Sequence, residues 1–204
     1  MDKLAYKSAA TKCFYGVIAF AVLGIVGSAI TAFCLDAIAM SMLSGSLPWY
    51  LIVIPVLTAA CYIYFIIGLS ALAKAVDAND TAAVKKLRVA AILTFITTLC
   101  GFLPYLILMS GSLAGSGFMT VALAIVGIIA IIFNFIGYVK LKKSETFPGR
   151  KGANLIFIAM IISLVASVFA IIPVVKMIAS IASMAVLIMM IIGWLQIKNA
   201  EVAE

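Results

Sequence analysis

Long runs of apolar side chains, broken by short clusters of charge and turn formers, set the organisation of this chain. Six such runs can be read. They extend from about Cys13 to Leu35, Trp49 to Leu72 and Val89 to Met109, then from about Phe118 to Val139, Ala153 to Ile172 and Met177 to Ile197. Each is about 20 residues or longer, the length an α-helix needs to cross roughly 30 Å of hydrocarbon. Lone strands would leave their backbone groups unpaired in lipid, and no run alternates apolar and polar residues as a barrel strand does. The pattern predicts an all-α, polytopic integral membrane bundle of six transmembrane helices arranged as three hairpins, one transmembrane domain over residues 1–204.

The breaks between runs carry their own chemistry. Ser110–Gly117 reads SGSLAGSG, an uncharged flexible turn. The fifth and sixth runs are separated only by Pro173-Val174-Val175-Lys176, and Pro plus Lys marks the place to turn. Asp80 suits the N-cap of a helix starting at Thr81, so the third helix is expected to begin outside the bilayer and enter it near Val89. Residues 37–47 are apolar but too short to cross; they suit either an interfacial segment or an extension of the first helix. The tripeptides Ile67-Gly68-Leu69, Ile136-Gly137-Tyr138 and Ile192-Gly193-Trp194 each close an even-numbered span. They suggest a triplicated hairpin, although chance also produces such matches in an Ile-rich chain.

Charge then orients the pattern. Of 14 Lys and Arg residues, all but Lys176 fall on one side. Lys3, Lys7 and Lys12 precede the first span; Lys74, Lys85, Lys86 and Arg88 follow the second. Lys140, Lys142, Lys143, Arg150 and Lys151 lie between the fourth and fifth, and Lys198 follows the sixth. By the positive-inside rule both termini are expected to be cytoplasmic. Trp49, Tyr50 and Tyr105 near the outer boundary, with Phe14, Tyr15, Tyr138 and Trp194 near the inner one, fit an interfacial aromatic belt. The start, bases followed by a long apolar run, resembles an uncleaved signal anchor. Short tails and compact turns point to a bacterial inner membrane.

Composition narrows the function classes. The chain is 67% hydrophobic and only 10% charged, with a net charge of +7. Bases that flank spans face anionic headgroups, so the bilayer is the expected partner and nucleic acid is not. Cys13, Cys34, Cys61 and Cys100 are scattered and there is no His, so no metal or cofactor is expected and the thiols are read as small packing residues. No span holds a paired carboxylate, a general base or a phosphate loop, so no catalytic residues are assigned and an enzyme is not expected.

The remaining candidates are uncharged. Pro55 and Pro104 fall inside spans, where each removes a hydrogen bond; the result is either a packing kink or a broken-helix site. Thr94, Thr97 and Thr98 on the third span, with Asn134 on the fourth, are the polar groups that could line a path. Thr58 and Thr120 are isolated, and a Thr hydroxyl can satisfy itself on the preceding turn. Gly24 with Ser28, and Ala159, Ser163 and Ser167, recur at fourfold spacing and are expected to form helix-packing faces within the chain or between copies. Asp36, the acid of the outer side, could pair with Lys176.

Two function classes remain. One is a non-enzymatic membrane protein acting through helix packing or through a partner, either a second copy or another membrane protein. The other is a channel or facilitator for a small neutral or apolar solute, with Pro55, Pro104, Asn134 and the Thr cluster along its path. A coupled ion transporter is disfavoured because it would need ionisable groups within the spans.

Overall fold

The computed structural model describes residues 2–34, 48–169 and 176–201. They form α1 (Lys3–Phe33), α2 (Tyr50–Ala75), α3 (Ala78–Cys100), α4 (Leu103–Met109), α5 (Leu113–Lys143), α6 (Arg150–Phe169) and α7 (Lys176–Lys198), with no strand among the described residues. Among the described residues six segments are long and apolar enough to cross a membrane, α3 and α4 together making one of them. The protein is a multi-pass bundle of transmembrane helices. Asp36, residues 37–47 and the turn at Pro173 lie outside the described residues, and of Lys176 only its place at the start of α7 is described.

Local chemistry explains the ends. Asp2 caps α1, its Oδ1 accepting from the N–H groups of Leu4 at 3.0 Å and Ala5 at 3.2 Å. Ser112 caps α5 by accepting from the Gly115 N–H at 3.2 Å. Gly111 just before it has φ +87°, a left-handed conformation that glycine adopts without steric cost.

Two expectations change here. The N-cap of α3 is Asp77 rather than Asp80, and the helix begins at Ala78. Asp80 sits in the first turn with its side chain buried, because a tertiary partner claims it. Pro104 does not kink a continuous helix either. The chain turns at Gly101 and Phe102, and Pro104 lies in the first turn of the separate helix α4, where a missing N–H leaves no intrahelical bond unmade. Pro55 does lie inside a helix, α2.

Packing follows the hairpins. The closest pairs are α1 with α2, α6 with α7 and α3 with α5, and these pairs join through α2 with α3, α5 with α6 and α1 with α7. The order closes a ring of three hairpins. The repeated tripeptides occupy matching places in it. A Cβ on Gly68 would meet the Cys13 backbone N and Sγ of α1 at 2.8 Å; one on Gly137 would run into Leu87 of α3; one on Gly193 would run into Ile156 of α6. Each glycine thus lets the second helix of a hairpin close on the first.

The core is asymmetric along the membrane normal. It gathers at the basic ends of the helices, from Tyr6 to Val17 on α1, Phe65 to Val76 through the end of α2, and Ala83 to Ala91 on α3, closed by Tyr138, Ile156 and Trp194. Toward the opposite side Val22, Val56, Val121, Leu164 and Ile181 are exposed. In lipid this arrangement carries no hydrophobic cost, since acyl chains are as apolar as the side chains that face them.

Candidate functional site

At the basic end the three hairpins meet in a sealed layer. Leu69, Tyr138 and Trp194, the last residues of the three tripeptides, are between 0% and 4% exposed. Trp194 packs edge-on against Phe65 with ring centroids 5.3 Å apart. Its indole Nε1 is buried next to the Tyr138 hydroxyl, outside strict hydrogen-bond geometry.

Below the seal a set of hydrogen bonds clasps distant segments. The Tyr6 hydroxyl of α1 donates to the carbonyl of Ile197 in α7 at 3.1 Å, which puts the two chain ends side by side. Thr146, between α5 and α6, donates from Oγ1 to Oδ2 of Asp80 at 2.9 Å. Thr81 Oγ1 lies 3.1 Å from the carbonyl of Ala73, joining α3 to α2. Asp80 is 3% exposed, in the first turn of α3.

The predicted path residues are dispersed. Thr94 and Thr97 donate to Ala90 and Thr94 carbonyls of their own helix, both at 2.9 Å. Thr98 is half-buried on that helix. Pro104 lines a shallow groove of about 280 Å³ with Gly101, Ser116 and Thr120. Asn134 is half-buried 14 residues beyond Thr120 on α5, which at 1.5 Å per residue is about 21 Å away. Pro55 lines neither this groove nor the larger one below.

The predicted packing faces divide as well. Ala159 is fully buried, whereas Ser163 and Ser167 are exposed, and Ser167 bonds back to the Ser163 carbonyl at 2.8 Å. Gly24 and Ser28 are exposed, with Ser28 bonded to the Gly24 carbonyl at 2.8 Å. In this stretch of α1 it is Gly27 that faces α2, its Cβ position lying 3.0 Å from Ile54, as Gly16 faces Phe65 further down. One residue turns a helix by about 100°, enough to move a face from a neighbouring helix to lipid.

A feature not anticipated from sequence is a trough of about 520 Å³ between α1 and α2. Gly16, Ala19 and Leu23 form one wall, Leu57, Ala60 and Cys61 the other, with Tyr15 and Tyr64 beside them. Near its basic mouth Lys198 Nζ stands 4.8 Å from the Phe14 ring centroid and 5.3 Å from that of Tyr15, a cation over aromatic faces. The signal present in the sequence was a pair of small residues on each of two helices, Gly16 with Ala19 and Ala60 with Cys61. A single sequence does not say which two faces will oppose each other.

Among the described residues no three His, Cys, Asp or Glu side chains gather to hold a metal ion. No family model matches the chain, and no curated protein or solved structure matches it either.

Proposed function

We propose that the protein acts without catalysis, as a packing and partner-binding component of a membrane. The observation that carries this reading is the sealed layer at the basic end, where Leu69, Tyr138 and Trp194 close the space between the three hairpins. Its support is strengthened by hydroxyls that bond to their own helices, as Thr58, Thr94 and Thr120 do. The exposed apolar flanks of α5 and α6 offer surface to a second copy or another membrane protein. The proposed setting is a bacterial inner membrane with both termini in the cytoplasm.

The alternative, a facilitator for a small neutral or apolar solute, draws on the groove beside Pro104, which has the hydroxyls of Ser116 and Thr120 on its wall. Stopped-flow shrinkage of liposomes distinguishes the two. With the purified protein at several copies per vesicle, glycerol and urea permeability are expected to equal those of protein-free vesicles. A tenfold or greater rise that Ser116→Leu abolishes would establish the facilitator instead.

A further inference from the structure

The trough between α1 and α2 joins three properties on a lipid-facing surface. Its walls are apolar and recessed, because small residues face each other across it: Gly16 and Ala19 on α1, Ala60 and Cys61 on α2. Its depth is that of one leaflet. Tyr15 to Leu23 covers eight residues, which at 1.5 Å per residue is about 12 Å, against a hydrocarbon half-thickness of roughly 15 Å. Its shallow end has lysines for neighbours. Lys198 stands beside Tyr15, and Lys12 lies on the same stripe of α1 as the wall, since residues 12, 16, 19 and 23 recur at intervals of three and four. Neither ammonium is paired with a carboxylate among the described residues.

We infer that this trough is a binding site for an anionic phospholipid of the leaflet on the basic side, with an acyl chain along the walls and the phosphate between Lys12 and Lys198. The depth argues against a transmembrane helix of a partner protein, which would need a groove through both leaflets, whereas this one stops near Leu23 and Leu57, about the middle of their spans. The charge argues against a zwitterionic lipid, whose own ammonium group would offset the attraction of two lysines. The rings of Phe14 and Tyr15 hold the Lys198 ammonium beside Tyr15, a residue of the trough wall, within reach of a phosphate at that level.

The test is native mass spectrometry of the full chain in mild detergent, titrated with phosphatidylglycerol or phosphatidylcholine of identical acyl chains. The native protein is expected to bind the first roughly tenfold more tightly, as two juxtamembrane lysines warrant. Lys12→Gln with Lys198→Gln should bring the two lipids to equal affinity, and each single variant should lose part of the preference. Ala60→Phe, at an exposed position outside the core, should fill the trough and weaken both lipids while leaving the thermal midpoint within a few degrees. Lys151→Gln, on α6, which packs on α5 and α7, should change nothing. Equal binding of the two lipids by the native protein overturns the assignment, and so does a preference that survives in the double variant. So too would Ala60→Phe binding that matches the native protein. The single Gln variants keep the charge arm decisive if the double variant fails to fold.

Discussion

At the scale of single residues, glycine does most to shape this bundle, and the effect depends on what each one faces. A Cβ at Gly152 would drive into the Gly193 carbonyl, a backbone atom of the facing helix that cannot rotate aside. One at Gly127, in the middle of α5, would meet nothing within 4 Å. Gly152→Ala is therefore expected to destabilise by about 1–3 kcal/mol through overpacking. Gly127→Ala should be neutral or stabilise by up to about 1 kcal/mol, the helix-propensity difference. Thermal unfolding of both variants in the same detergent checks the contrast; equal losses would mean that the α6–α7 contact is looser than described. Asp80 teaches a related lesson. Its position before Thr81 suits a cap, yet Thr146, 66 positions away, holds its carboxylate.

Whole elements run longer than their apolar cores. The 31 residues of α5 extend about 46 Å at 1.5 Å each, well beyond a hydrocarbon core of roughly 30 Å. Hydropathy detects only the part inside lipid, so the first span read from Cys13 begins as a helix at Lys3, and the third read from Val89 begins at Ala78. The break before α4 is the converse case. An apolar run from Val89 to Met109 is continuous in hydropathy but divided in backbone at Gly101 and Phe102. Because Pro104 occupies a first turn, Pro104→Ala is expected to change stability by less than about 1 kcal/mol. A loss of several kcal/mol in a chemical unfolding series would show that the proline ring itself supports the groove lined by Ser116 and Thr120.

For the whole molecule, the ring of hairpins brings the beginning and end of the chain together. The bond from Tyr6 to Ile197 requires both on the same side of the membrane, and so an even number of crossings. We propose from charge that this side is the cytoplasm, since all the bases except Lys176 flank that end. A fluorescent protein fused to the C-terminus should therefore fluoresce in bacterial cells, and an alkaline phosphatase fused there should stay inactive. Active phosphatase would reverse the orientation and move the lipid trough to the other leaflet. The asymmetric core is a property of this scale too. Tight packing near the basic face and exposed apolar flanks opposite cannot be read from any one helix.

The number of crossings, their helical nature and the sidedness of charge were legible from residue order alone. Each of these is settled locally, by the cost of leaving backbone or charge in hydrocarbon. The tertiary structure alone decided which faces meet. Lipid is as apolar as a neighbouring helix, so hydrophobicity does not separate Gly24 and Ser28, which face outward, from Gly27, which faces Ile54. Fourfold spacing likewise placed Ala159, Ser163 and Ser167 on one stripe, and only the packed structure buried the first while exposing the others. The trough between α1 and α2, and the lysines at its mouth, exist only once three distant segments have come together.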